Sequence, residues 1–179
     1  MRIITGKYGG RKINPPAKMP YTRPTTDVAK EGLFNIIENN ISLAGIKTLD
    51  IFGGTGSISY ELASRGASDL TIVEKDPKMY EFIKNKIAEF KIENCKVVKS
   101  DVFNFLENCT QKFDLVFAGP PYALKNIDDL PRVICKKNLL SEGGWFILEH
   151  TPANNYESEP MFKIMRNYGT TVFSIFINK

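Results

Sequence analysis

A doubly wound α/β domain built on a seven-stranded sheet is what this 179-residue sequence predicts, and three observations carry the prediction. From residue 47 onward, short continuous apolar runs alternate with amphipathic stretches, the pattern of a parallel sheet covered on both faces. The first run ends in a glycine-rich turn, Gly53-Gly54-Thr55-Gly56, which opens directly into a helix. The last two runs flank a tight-turn signal, so the sheet should finish in an antiparallel hairpin.

Ahead of the sheet, residues 1–24 read as a basic extension to a main domain at 25–179. Residues 1–26 hold Arg2, Lys7, Arg11, Lys12, Lys18 and Arg23 and no acid, whereas the remainder sets 18 bases against 20 acids. All of the net charge of +4 therefore originates in this arm. Ile3, Ile4, Tyr8 and Ile13 punctuate it, and that pattern allows a short hairpin that docks. A localised basic arm suggests a phosphate-backbone surface, with Arg2, Lys7, Arg11, Lys12 and Arg23 as the contacts. The plainer alternative is a solubilising tail.

Pro15, Pro16 and Pro20 mark an irregular connection, after which Thr25 or Thr26 can cap a first helix with Asp27 in its first turn. Val28, Leu33, Ile36, Ile37 and Ile41 form its expected apolar stripe. Strands follow at 48–52, 70–74, 96–99, 113–118 and 145–149, separated by helices near 57–65, 77–90, 101–108 and 125–137. The closing hairpin joins 162–166 to 170–177 through Asn167-Tyr168-Gly169. Trp145 reads as core, and Lys84, Lys86, Lys91 and Lys96 as a solvated face.

Composition narrows the function classes. Hydrophobic residues at 42% and charged residues at 25% describe a globular protein, and no apolar stretch approaches the roughly 18 residues of a membrane span. The opening residues lack a secretion signal, so a cytoplasmic location is expected. Cys95, Cys109 and Cys135 are scattered and His150 is the sole histidine, which argues against zinc and for reduced thiols buried as small hydrophobes.

The strand ends form one constellation. Asp50, Phe52, Gly53, Gly54, Thr55 and Gly56 build a turn in which a ligand can lie against bare backbone. Glu74 ends the next strand 20 residues after Gly54, the spacing at which a carboxylate can bind both ribose hydroxyls. Asp101, with Val102 beside it, follows a third strand, where an adenine contact is expected. Together they suggest an adenosine cofactor. A dinucleotide is the less favoured choice, because Ser59 stands where that fingerprint requires a third small residue.

Phe113-Asp114-Leu115-Val116-Phe117-Ala118 then runs into Gly119-Pro120-Pro121-Tyr122 at the same sheet edge. This segment resembles motif IV of the amino-methyltransferases, usually Asp or Asn followed by Pro-Pro and an aromatic residue. An exocyclic amine on a base is a poor nucleophile because its lone pair is delocalised into the ring. The motif answers with a side-chain oxygen and a backbone carbonyl that accept the two amine hydrogens, while the aromatic ring stacks on the base.

With that segment, essentially the whole chain resembles the bacterial 16S ribosomal RNA guanine-N2 methyltransferases of the RsmD type. The resemblance rests on Arg2-Ile3-Ile4-Thr5-Gly6-Lys7-Tyr8-Gly9-Gly10-Arg11-Lys12, on Arg23-Pro24-Thr25-Thr26-Asp27 running into Glu31-Gly32-Leu33-Phe34-Asn35, on Ser64-Arg65-Gly66-Ala67, and on the Tyr168-Gly169 hairpin. It implies a Rossmann-like methyltransferase sheet and S-adenosylmethionine as cofactor. It further implies methyl transfer to a guanine N2 in small-subunit RNA, met by a monomer within an assembled particle.

The departure from the family is Gly119, where it has Asp, so the side-chain acceptor is missing. A weakened enzyme, an RNA-binding ribosome-assembly protein without catalysis, and an enzyme that borrows another acceptor are the readings this leaves. Glu149-His150, at a strand end facing the site, can serve the substrate or be an ordinary strand end.

Overall fold

The computed structural model describes residues 1–17 and 25–179, so Lys18, Pro20 and Arg23 of the basic arm lie outside the described residues. Helix α1 (Asp27–Glu38) leads into β1 (Lys47–Asp50), α2 (Ser57–Ser64), β2 (Asp69–Glu74), α3 (Pro77–Phe90), β3 (Cys95–Lys99), α4 (Val102–Asn108) and β4 (Phe113–Ala118). Helix α5 (Asp129–Lys136), β5 (Leu140–His150), β6 (Phe162–Tyr168) and β7 (Thr171–Ile177) complete the order. The seven strands form one sheet in the order β3-β2-β1-β4-β5-β7-β6, with only β7 and its partners antiparallel. The direction of winding reverses between β1 and β4, and an open sheet places its ligand crevice at such a switch.

Side chains alternate across the sheet with the period of two that strands impose. Leu115 and Phe117 join the core beneath α1, α2 and α3, whereas Val116 and Ala118 join the one beneath α4 and α5, as does Phe113 across a register irregularity that breaks the alternation. The basic arm belongs to the first core. Arg2 and Lys12 pair as an antiparallel bridge, and Ile3, Tyr8 and Ile13 are buried while Arg2, Lys7, Arg11 and Lys12 stay exposed. Glu61 on α2 accepts from the Ile4 and Thr5 amides at 2.7 and 3.1 Å, and Ser64 Oγ accepts from the Tyr8 amide at 2.9 Å.

Lys30 completes that anchorage from α1. Its ammonium is fully buried, lies 3.6 Å from Glu61, and donates to the Arg2 carbonyl at 2.5 Å and to Ser57 Oγ at 3.1 Å. Burial pulls its pKa down, and the Glu61 charge works against that. The buried face of α1 is therefore Ala29, Lys30, Leu33, Phe34 and Ile37, rotated from the expected stripe, since Val28 is 74% exposed. A stripe with a lysine at its centre does not register as apolar.

Other boundaries differ for local reasons. α5 begins at Asp129, not near 125, because residues after the two prolines form successive turns and Pro131 must sit in a first helical turn. β5 begins at Leu140, five residues ahead of expectation. Gly143, at φ +71°, and Gly144 make an irregularity against β4, and they interrupt the apolar run that marks the rest of the strand. The hairpin turn is Gly169-Thr170, since Tyr168 pairs with Thr171. Cys95, Cys109 and Cys135 are free thiols but only half-buried, so they do not fill the core as expected. No helix among the described residues is long and apolar enough to cross a membrane.

Candidate active site

Two clefts open at the C-terminal edge of the parallel strands and share a wall of Phe52, Gly54, Gly119 and Pro121. The larger, about 680 Å³, runs from this wall past Glu74 and Asp101. The smaller, about 260 Å³, is bounded by Thr25, Asp50, Pro120, Tyr122 and Glu149.

The glycine loop between them is fixed by packing. A Cβ on Gly53 would come within 2.7 Å of Ile72 and 2.8 Å of Ile83, and one on Gly56 would overlap the Tyr60 ring. Gly56, at φ +77°, is the residue from which α2 starts, so it shapes the turn and lines neither cleft. Asp50 lies beneath the loop, accepting from Ser59 Oγ at 2.9 Å and from the Phe52 amide at 3.2 Å. Burial pushes its carboxyl up to about 7, with the Glu74 and Glu149 charges adding to the rise. Ser59, expected only as a substitution in a dinucleotide fingerprint, thus anchors the strand carboxylate.

Glu74 closes the larger cleft. Its two oxygens accept from the Gly54 and Asp76 amides, each at 2.7 Å, so loop and strand end are one hydrogen-bonded unit. Burial raises its pKa against those two amides. A carboxylate has about four acceptor directions, so the same group can still receive a ribose diol. Asp101 caps α4 through the Phe103 amide and pairs with Lys75 at 3.2 Å. Burial opposes its ionisation, but Lys75 and the amide prevail and hold the carboxyl below its usual range. Val102 and Phe103 supply an apolar wall beside it. Two carboxylates, Glu74 and Asp101, flank an apolar stretch of this cleft, a lining of the kind an adenosine would fit.

The smaller cleft is built from distant segments. Pro120 is buried, Pro121 O accepts from the Leu124 amide at 2.9 Å, and Tyr122 lines the cleft and is 43% exposed. Gly119 does not adopt a positive φ, so its backbone would accept a side chain, whose Cβ would meet the Phe117 ring at 3.0 Å and require that ring to give slightly. Thr25 Oγ1 donates to Glu149 Oε2 at 2.6 Å, while Thr26 caps α1. Thr25 is legible in the sequence only as a possible cap, and nothing in its local sequence links it to β5.

Glu149 and His150 separate in role. His150 Nδ1 lies 2.8 Å from the Thr151 carbonyl and Nε2 2.8 Å from Ser174 Oγ. The carbonyl can only accept, so Nδ1 carries the proton and Nε2 receives the serine hydroxyl. Burial lowers its pKa, and the ring packs edge-on against Tyr156 as a neutral core group. Glu149 instead faces the smaller cleft.

Of the arm residues, Arg11 stacks over Tyr8 and Phe90, and Lys7 lies over the Tyr8 ring. The arm reaches the site at its first residue, where Thr55 Oγ1 donates to Met1 Sδ at 3.5 Å. No group of three potential metal ligands occurs among the described residues.

Known proteins share the family and the fold. The family model described as conserved hypothetical protein 95 matches residues 1–177. The Escherichia coli ribosomal RNA small subunit methyltransferase D is 34% identical over 145 residues, 81% of this chain and 69% of the relative. A solved hypothetical protein from Thermus thermophilus superposes with a TM-score of 0.86 at 26% identity, covering 98% of both chains. A Thermus thermophilus 16S rRNA N2 methyltransferase, RsmC, in complex with AdoMet and guanosine, shares the fold at a TM-score of 0.70 and 19% identity, over 89% of this chain and 45% of its own.

Proposed function

The chain belongs to the conserved hypothetical protein 95 family, the RsmD family of methyltransferases, and on that premise we propose that it transfers a methyl group from S-adenosylmethionine to the exocyclic N2 of a guanine in small-subunit ribosomal RNA. The observation that carries this reading is the wall shared by the two clefts, because a methyl donor in one and a base in the other would meet across Gly119 and Pro121. S-adenosylmethionine, when bound, supplies an electrophilic methyl group on a sulfonium. Glu74 would accept from both ribose hydroxyls, Asp101 and Val102 would flank the adenine, and the Phe52–Thr55 backbone would line the amino-acid portion. Asp50 holds that backbone in shape from below. In the smaller cleft, Tyr122 would stack on the guanine and the Pro120 carbonyl would accept one amine hydrogen.

Ribosomal RNA in an assembled small-subunit particle is the proposed partner, met in the cytoplasm by a monomer. Arg2, Lys7, Arg11 and Lys12 would track its phosphates on the exposed face of the arm, joined by Arg23. Because Ile3, Tyr8 and Ile13 are core residues, the arm is tested by charge and not by deletion. Lys7→Gln with Lys12→Gln should lower the slope of log affinity against log salt by about one for each phosphate that is no longer neutralised. An unchanged slope would remove the arm from the RNA interface.

The test of function is methyl transfer to undermethylated small subunits, followed by nucleoside analysis. N2-methylguanosine is the expected product. Gly119 favours a second reading, a non-catalytic RNA-binding protein, and this is the outcome if S-adenosylhomocysteine and subunits bind but no methyl group is transferred.

A further inference from the structure

Gly119 removes an acceptor from the base-binding loop, yet the sheet delivers a carboxylate to the same spot. β4 and β5 run parallel with Ala118 opposite Leu148, so the next residue on each strand, Gly119 and Glu149, emerge side by side. A Cβ at position 119 would lie 3.5 Å from Glu149 Oε2. An aspartate there would carry its oxygens about 2.4 Å beyond that Cβ. Glu149 therefore already offers an oxygen about 1 Å or more beyond the reach of such a side chain, on the same wall of the cleft. The residue is buried, lines the smaller cleft with Pro120 and Tyr122, and is oriented by the 2.6 Å bond from Thr25. A carboxylate accepts several donors at once, so this bond orients the group without disqualifying it as an acceptor.

We propose that Glu149 is the catalytic acceptor for the exocyclic amine that Gly119 cannot be, with Thr25 as its positioning residue. This rests on the reading of the site as a guanine-N2 methyltransferase. The amine nitrogen forms the new bond to the methyl carbon with its lone pair, and the C–S electron pair stays on sulfur. The surplus proton passes from nitrogen to Glu149 and on to water.

Two readouts test the assignment, one without turnover. Guanosine and inosine differ in the exocyclic amine alone, so titrating each into the protein without cofactor isolates that group. Wild type should prefer guanosine about tenfold, and Glu149→Gln should shrink the preference at least threefold, since a neutral acceptor is weaker. In methyl transfer, Glu149→Gln should lower kcat at least tenfold with little change in KM. Gly119→Asp alone should bring no gain, because two carboxylates would compete for one site. Gly119→Asp combined with Glu149→Gln should recover most of the activity.

Thr25→Val should lower kcat and Thr25→Ser should keep it, which tests the assignment even if Glu149→Gln folds poorly. An active wild type whose Glu149→Gln variant keeps both kcat and guanosine preference overturns this inference and leaves the function standing. So does a tenfold gain from Gly119→Asp alone. A wild type that makes no N2-methylguanosine overturns the function, and this inference falls with it.

Discussion

The two clefts that meet at Gly119 are built in opposite ways. The larger is assembled from strand ends that are neighbours in the sheet, and its carboxylate is held by backbone amides, Gly54 and Asp76, which no substitution short of proline deletes. The smaller depends on a side-chain bond between Thr25 and Glu149, 124 residues apart, and on a partly exposed aromatic ring. A site held by its backbone keeps its geometry while surrounding side chains change. One held by distant side chains can move its chemistry from one strand to the next, as an acceptor passing from position 119 to position 149 would do.

The largest expected effect tests how far the smaller cleft depends on the arm. Glu61 accepts from Ile4, Thr5 and Arg65 and pairs with the buried Lys30, whose ammonium also reaches Ser57 in the cleft wall. Glu61→Ala leaves that ammonium without its counter-charge and should cost about 3–5 kcal/mol in urea unfolding. A loss under about 1 kcal/mol would mean that the arm is held by its apolar contacts alone.

A smaller effect probes the backbone-held cleft. Glu74→Ala should weaken S-adenosylhomocysteine binding by about 1–3 kcal/mol in calorimetry, through lost charge-assisted bonds to the ribose. Guanosine binding should be nearly unaffected. Equal losses of both ligands would show that the clefts are one structural unit and erase the contrast drawn between them.

Asp50, which lines the smaller cleft, gives the smallest effect and a pH signature. Its carboxyl titrates near 7 in the folded protein against 3.8 as an unperturbed group, because burial disfavours the charge. The folded chain thus binds a proton that the unfolded chain has released between those values. The stability tied to it is complete below the lower value and is lost as pH rises through the upper one. Asp50→Asn stays neutral throughout, so from about pH 6 to about pH 7 it should gain on wild type by on the order of 1 kcal/mol. A difference that is flat with pH would show the carboxylate to be ionised already in the folded state.

Legibility in the sequence follows the same division. The glycine loop, Glu74 and the parallel strands can be read because each is encoded by residues near one another, with spacing as the signal. Lys30 and Glu61 cannot, since a charged residue reads as surface until its partner is seen, and Lys30 conceals the true stripe of α1. β5 reads short because Gly143 and Gly144 break its apolar run. Glu149 is legible as a strand end that can serve the substrate, but its closeness to Gly119 is a product of strand register, which no local pattern records.

The strand order also bears on how the protein is made. β7 lies between β5 and β6, so the hairpin of residues 162–177 is the last part of the sheet to be synthesised and the part that covers β5. Before it docks, β5 presents an unpaired edge bearing Trp145, Phe146, Ile147 and Leu148, a template on which another chain could pair. The carboxylate assigned to catalysis stands on that same strand. A nascent chain that stalled before residue 171 would therefore expose that edge, and chaperone demand during synthesis should track the docking of this one hairpin.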